Sequence, residues 1–117
     1  GEGFSLTPLE AIACKLPVIT TRFGGQMDYL TDDNSYLIDY RMKNASKKMQ
    51  YFTFNPDARM AEPDVNHLRK LMRHVKDNHE QAKQKAELAY SQYAEKLTWT
   101  VAAESLLTMI QERGWKL

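Results

Sequence analysis

Gly1-Glu2-Gly3-Phe4-Ser5-Leu6-Thr7-Pro8-Leu9-Glu10, with Val18-Ile19-Thr20-Thr21 shortly behind it, is the stretch on which the fold turns. The first ten residues read as a loop entering a helix, and the apolar stripe of Leu6, Leu9, Ile12 and Ala13 predicts that helix over Leu6 to Lys15, with Pro17 closing it. The β-branched run at 18–21 has the pattern of a short buried parallel strand, and Phe23-Gly24-Gly25 is the loop it feeds. A helix, a strand and a Gly-rich loop in that order describe an α/β unit.

Two carboxylates, Glu2 and Glu10, straddle the loop-to-helix junction. A helix start offers free backbone N–H groups and the positive end of the helix dipole to an anion, and flanking carboxylates accept hydrogen bonds from hydroxyls. Phosphate plus polyol is the chemistry of a nucleotide sugar. A rival reading needs no ligand: Thr7-Pro8-Leu9-Glu10 fits a capping box with Thr7 as N-cap, Pro8 in the first helical position and Glu10 reaching back to the Thr7 amide. That reading leaves Glu2 without a role.

Further along, Gln26 to Leu30 has room for about one helical turn. Asp32-Asp33-Asn34-Ser35 marks a tight turn, and Tyr36 to Tyr40 is a second strand. Arg41 to Ala61 has no sustained period and reads as a long loop or insertion. It carries Lys43, Lys47 and Lys48, and its Tyr51, Phe52 and Phe54 are expected to plug a core edge rather than form a binding platform. Three helices follow. Pro63 and Asp64 suit a first turn, with Val65, Leu68, Met72 and Val75 at helical spacing; the second helix spans about Glu80 to Lys96 on a narrow Ala82, Ala86, Ala89, Tyr93 face; the third runs from Thr98 as N-cap to Gly114, its stripe built from Trp99, Ala102, Ala103, Leu106, Leu107 and Ile110.

The 117 residues are 43% hydrophobic and 26% charged, the composition of one globular unit. A formal charge of +1 lacks the basic footprint of a nucleic-acid binder, so nucleic acid is not an expected partner. There is neither a bilayer-length apolar run nor a signal peptide, and the single Cys14 fits a reducing, cytoplasmic setting. Cys14 sits in an apolar run with no base near it and is expected to be a small buried hydrophobe. His67, His74 and His79 lack metal-ligand spacing, so no metal site is expected. Two strands make a marginal sheet, and the chain opens where a strand should precede the loop. It is therefore expected to be a piece of a larger fold.

The run from Glu2 to Ile19 resembles the nucleotide-sugar motif of retaining glycosyltransferases of the GT-B fold, family 4 (group 1). Gly24-Gly25 with Asp28 is similar to that family's Gly-Gly loop and downstream acid, Asn34 to Ile38 to its strand entry, Glu62-Pro63-Asp64 with Leu68 to the next helix start, and Trp99 with Ala102 and Ala103 to its terminal helix. Only 41–61 stands outside the resemblance. The resemblance implies an α/β fold: part of a Rossmann-like C-terminal donor-binding domain spanning residues 1–117, with the upstream strands and an N-terminal acceptor domain absent.

By the same resemblance Glu2 is the catalytic-site carboxylate beside the transferred sugar. Gly3, Phe4 and Ser5 bring their amides to the sugar and diphosphate, Leu6 and Thr7 lie under the phosphates, and Glu10 accepts from the ribose hydroxyls. The implied activity is transfer of a hexosyl group, with retention, from a nucleoside diphosphate sugar to an unknown sugar, lipid or protein acceptor, without metal or other cofactor. An Arg and a Lys that neutralise the leaving phosphate in the family lie upstream of this segment, so the piece alone is expected to bind donor but not turn over. The full-length form is expected in the cytoplasm, with a peripheral membrane placement compatible. The alternative is a non-catalytic nucleotide-sugar module or a helical interaction domain. Three positions depart from the pattern: Ser5 and Ser35 replace glycines, and Lys15 stands where glycine often ends the helix, which asks a non-glycine residue to take a strained cap conformation or shifts the helix end.

Overall fold

Helix α1 covers Leu6–Ala13 and ends earlier than its apolar stripe predicts. The computed structural model, which describes residues 3–45, 48–49, 52–53, 55 and 57–114, gives the reason: Lys15 takes φ 55° directly after the Cys14 cap, so the chain leaves the helix there. A lysine in this region carries the steric cost that a glycine avoids. Its side chain is held by an ion pair to Glu87 at 3.0 Å and lies over the Tyr90 ring at 4.6 Å, both on helix α3 (His79–Tyr93). Cys14 is exposed, not buried, because it caps the helix on the side away from the core.

Strands β1 (Ile19–Thr21) and β2 (Tyr36–Ile38) pair in parallel, Ile19 opposite Tyr36 and Thr21 opposite Ile38. A 3-10 turn at Gly25–Asp28 lies between them. The core gathers Ile12, Val18, Tyr29, Leu30, Leu37 and Ala89. It is closed on one side by α3, whose Ala82, Ala86 and Ala89 are fully buried and small enough to let the helix approach closely. On α1, Ile12 faces this core while Leu6 and Ala13 do not, so the predicted stripe divides between two surfaces.

Segment 41–61 is not a loop. Strand β3 (Tyr40–Asn44) pairs antiparallel with β6 (Arg59–Pro63), and β4 (Lys48–Met49) pairs antiparallel with β5 (Phe52–Thr53), forming a β-ribbon. All five residues of β3 are exposed, so the alternation of Tyr40 and Met42 with Arg41 and Lys43 marks no buried face, and the strand is held by its pairing rather than by a core. The pairing is reinforced across the strands by Glu62, which binds Arg41 at 2.6 Å and also Lys43, and these two cations hold its carboxyl below the usual carboxylate range, Lys43 more than Arg41. Tyr51 and Phe54 lie outside the described residues, as does the side chain of Phe52, and with them the expectation placed on that aromatic trio.

The second strand stops at Ile38 instead of running to Tyr40 because Asp39 is tied elsewhere. Its amide donates to His67 Nδ1 at 3.1 Å and its carbonyl accepts from the Asp64 amide at 2.8 Å. Helix α2 (Val65–Asp77) starts at Asp64, whose carboxylate accepts from the amides of Asn66 and His67. Pro63 ends β6 opposite Tyr40 and takes no part in the helix. The second long helix spans His79–Tyr93, a turn shorter at its end than predicted, and α4 covers Trp99–Glu112 with Thr98 Oγ1 accepting from the Val101 amide and Gly114 left-handed beyond the end. No α4 residue is buried, and Trp99 is 84% exposed. Among the described residues no helix is long and apolar enough to cross a membrane.

Candidate functional site

The entry to α1 tests the capping-box reading of the opening motif. Ser5, not Thr7, is the N-cap, with φ 68° and ψ 76°, and no side chain caps the helix. Thr7 and Pro8 lie inside the first turn, so the capping box does not form. The reason is the left-handed Ser5, which caps a helix that starts at Leu6, one residue before Thr7. Among the described residues no hydrogen bond engages the amides of Phe4, Ser5, Leu6 or Thr7, and the first turn contains no acidic residue. Free donors at the positive end of a helix form a seat for an anion. A left-handed residue followed by helical ones turns successive N–H groups into one concavity.

The loop is held from behind by the chain that follows β1. A Cβ on Gly25 would stand 1.8 Å from the Gly3 carbonyl oxygen and 3.0 Å from the Phe4 Cα, so only glycine permits the two backbones to meet. Gly24, at φ 105°, supplies the turn into that contact. Gln26, buried, fixes the loop by donating to the carbonyls of Phe23 at 2.6 Å and Thr21 at 3.1 Å. The Tyr29 hydroxyl donates to the Ser5 carbonyl at 2.5 Å, with the Phe4 carbonyl 3.2 Å away, and its ring lies 5.3 Å from that of Phe4. Burial pushes this hydroxyl above the ordinary tyrosine value, so it remains a donor.

Of the residues expected at the site, Gly3, Phe4, Ser5, Leu6 and Thr7 come together on one exposed to half-buried surface at the start of α1. Glu10 follows one turn along, exposed and without a side-chain hydrogen bond among the described residues. Glu2 lies outside the described residues. Phe4, Leu6, Leu9, Glu10 and Ala13 form one wall of a groove of about 920 Å³, and Leu97, Trp99, Val101 and Ala102 form the other. Asp28, the downstream acid, sits exposed in the 3-10 turn.

Sequence reasoning missed Gln26 and Tyr29. Each reads as a filler of an unremarked turn, and only the placement of their polar tips against the carbonyls of distant residues gives them a role. His67 and His74, read in the sequence only as lacking metal-ligand spacing, take part in polar contacts. His67 accepts from the Asp39 amide and faces the Asp39 carboxylate at 3.1 Å; His74 meets Gln81 Oε1 at 2.7 Å. Arg22 joins this edge, bidentate to Asp32 at 2.7 Å on both oxygens and 3.8 Å from Asp39. The Arg22 guanidinium holds the Asp32 carboxyl below its ordinary range. Among the described residues no group of three or more His, Cys, Asp or Glu side chains is arranged to hold a metal ion.

Comparison with known proteins bears on the family of the chain. Residues 1–106 match the family described as Family 4 Glycosyltransferase in conflict systems. A probable sucrose-phosphate synthase of Thermosipho melanesiensis is 31% identical over 117 aligned residues, which take in 97% of this chain and 21% of the relative. The chain thus spans about a fifth of the length of the curated relative it matches. No solved structure matches it. With its opening loop, its Gly-Gly turn, helices α2 and α3 and the first half of α4 inside the matched span, the chain belongs to the family 4 glycosyltransferases of conflict systems.

Proposed function

We propose that this chain supplies the nucleotide-sugar seat of a retaining glycosyltransferase of the GT-B type. One observation carries the reading: among the described residues the amides from Phe4 to Thr7 have no hydrogen-bond partner at the start of α1, and the Glu10 carboxylate, one turn further on, has none either. The diphosphate of the donor sits on those amides, the ribose hydroxyls donate to Glu10, and Glu2 stands beside the hexosyl group. The rest of the active unit, an acceptor-binding domain and the cations that neutralise the leaving diphosphate, belongs to chain outside these 117 residues. That the curated relative is named for building sucrose phosphate and is several times longer supports this division. No metal or other cofactor is required by the reading, and the acceptor is a sugar, lipid or protein.

The loop can do part of the chemistry by itself. Departure of a nucleoside diphosphate leaves negative charge on the leaving oxygens, and donors fixed in advance stabilise that charge without reorganising. A helix start contributes about 0.3 to 2 kcal/mol to such an anion. With no cationic side chain in the described loop, the isolated chain is expected to bind donor with a dissociation constant on the order of 1 mM.

Calorimetry with UDP-glucose and GDP-mannose tests the assignment. Glu10→Ala is expected to weaken the better of the two about tenfold, the loss of one hydrogen bond to a charge, with no change in thermal stability because Glu10 caps nothing. Unchanged affinity, or a loss of stability in its place, would return Glu10 to a structural role and favour a helical interaction domain.

A further inference from the structure

We infer that Tyr29 is a positioning residue for the donor seat: its buried hydroxyl, by holding the carbonyls of Phe4 and Ser5 inward, turns the amides of Ser5 and Leu6 outward toward the diphosphate. The inference rests on the donor reading given above and names the side chain that shapes that seat. Each peptide unit is planar and trans, so its C=O and N–H point in opposite directions. The Ser5 carbonyl and the Leu6 N–H belong to one such unit, and the Phe4 carbonyl and the Ser5 N–H to the unit before it. A donor that pins the two carbonyls on the core side therefore fixes two N–H groups on the solvent side. The Tyr29 hydroxyl is that donor, at 2.5 Å from the Ser5 oxygen and 3.2 Å from that of Phe4.

The pin is needed because the conformation it holds is unfavourable. Ser5 has φ 68°, a region any residue with a Cβ avoids, and its side chain makes no capping bond that would favour it. Released, the 5–6 peptide would turn over and scatter the donors. Tyr29 is itself firmly placed. Its ring is 1% exposed and lies edge-on to Tyr93 at 6.2 Å. Its carbonyl accepts from Asn34 Nδ2 at 3.1 Å, and the same amide group donates to Gln92 on α3 at 2.9 Å. The hydroxyl is thus anchored to the α3 side of the molecule and reaches the loop from a rigid base.

Tyr29→Phe keeps the ring and deletes the pin. In this variant the backbone order parameters of Ser5 and Leu6 are expected to fall from about 0.85 to below about 0.6 while those of α3 stay unchanged. The dissociation constant for UDP-glucose or GDP-mannose, whichever binds the wild-type chain better, is expected to rise about tenfold. Adding Ser5→Gly to Tyr29→Phe is expected to recover at least about threefold of that loss, since glycine takes the left-handed conformation without penalty. Unchanged order parameters overturn the pin. A loosened loop with undiminished affinity, or no recovery in the double variant, overturns the positioning role. Failure of both sugars to bind the wild-type chain overturns the donor reading, and the positioning role with it, while the order parameters still report whether the hydroxyl holds the loop.

Discussion

Two loops meet at Gly25, and the space there is set by a single hydrogen atom. A methyl group at this position would lie 1.8 Å from the Gly3 oxygen, a backbone atom with no freedom to rotate away. Gly25→Ala is therefore expected to force the loops apart, cost about 1 to 3 kcal/mol in thermal unfolding and reduce donor affinity more than tenfold by calorimetry. An alanine variant with wild-type stability and affinity would show the close approach to be absent in solution. The Gly-Gly pair was legible as a turn, but the partner that makes its second member necessary was not, since Gly3 lies far from it in sequence. Lys15 went the other way. Its departure from glycine left two outcomes open, a strained cap conformation or a shifted helix end, and the structure shows a left-handed residue at φ 55° after a helix that ends at Ala13. That strain, about 1 to 2 kcal/mol, is offset by an exposed ion pair of about 0.2 to 1 kcal/mol and a cation–π contact of about 0.5 to 1 kcal/mol.

Among the elements, those with helical apolar spacing were readable and the exposed ribbon was not. Helices α2, α3 and α4 follow from that spacing, and α4 also from its Thr98 cap, although of the three only α3 buries residues; Asp64, read as part of the first turn, is the cap of α2, and β3 and β6 are fixed by register and by Glu62. The start of α1 at Leu6 was legible from its apolar stripe, whereas the rival capping box of Thr7-Pro8-Leu9-Glu10, which satisfies the local rule, does not form because the left-handed Ser5, whose carbonyl accepts from Tyr29, is the cap. At the carboxyl edge of the two parallel strands, the Arg22–Asp32 pair gives a pH signature. Asp32 has its folded pKa depressed below the unfolded value of about 3.9, so its contribution is present above that value and lost as the pH falls through the lower folded one. Both side chains are substantially exposed, at 41% and 66%, so the contribution is only about 0.5 kcal/mol. Thermal unfolding from pH 7 to pH 2 is expected to show Asp32→Asn less stable than wild type at neutral pH and equal to it at the acid end. A gap independent of pH would remove the charge from the account.

For the whole molecule, the core is small and lies on one side. Ile12 is fully buried in it, and Ile12→Ala is expected to cost about 2 to 5 kcal/mol, whereas Leu106→Ala on α4, where the side chain is 54% exposed, should stay within about 0.5 kcal/mol. Equal losses measured by denaturant unfolding would mean that α4 packs on the core in solution. The periodicity of α4 made it the cleanest helix in the sequence, yet periodicity reports an apolar face and not what covers it. The proposed donor seat rests on the motif at 1–10, and what the sequence withheld was the brace behind its loop, built from Gly25, Gln26 and Tyr29. The amide spectrum of the wild-type chain titrated with UDP-glucose and GDP-mannose tests the central claim most directly. The account predicts that at least one of the two moves the amide resonances of Phe4, Ser5, Leu6 and Thr7 first and furthest, in step with a single binding curve. Shifts confined to the α4 side of the groove, or no shift in the loop at donor concentrations of several times about 1 mM, would contradict it.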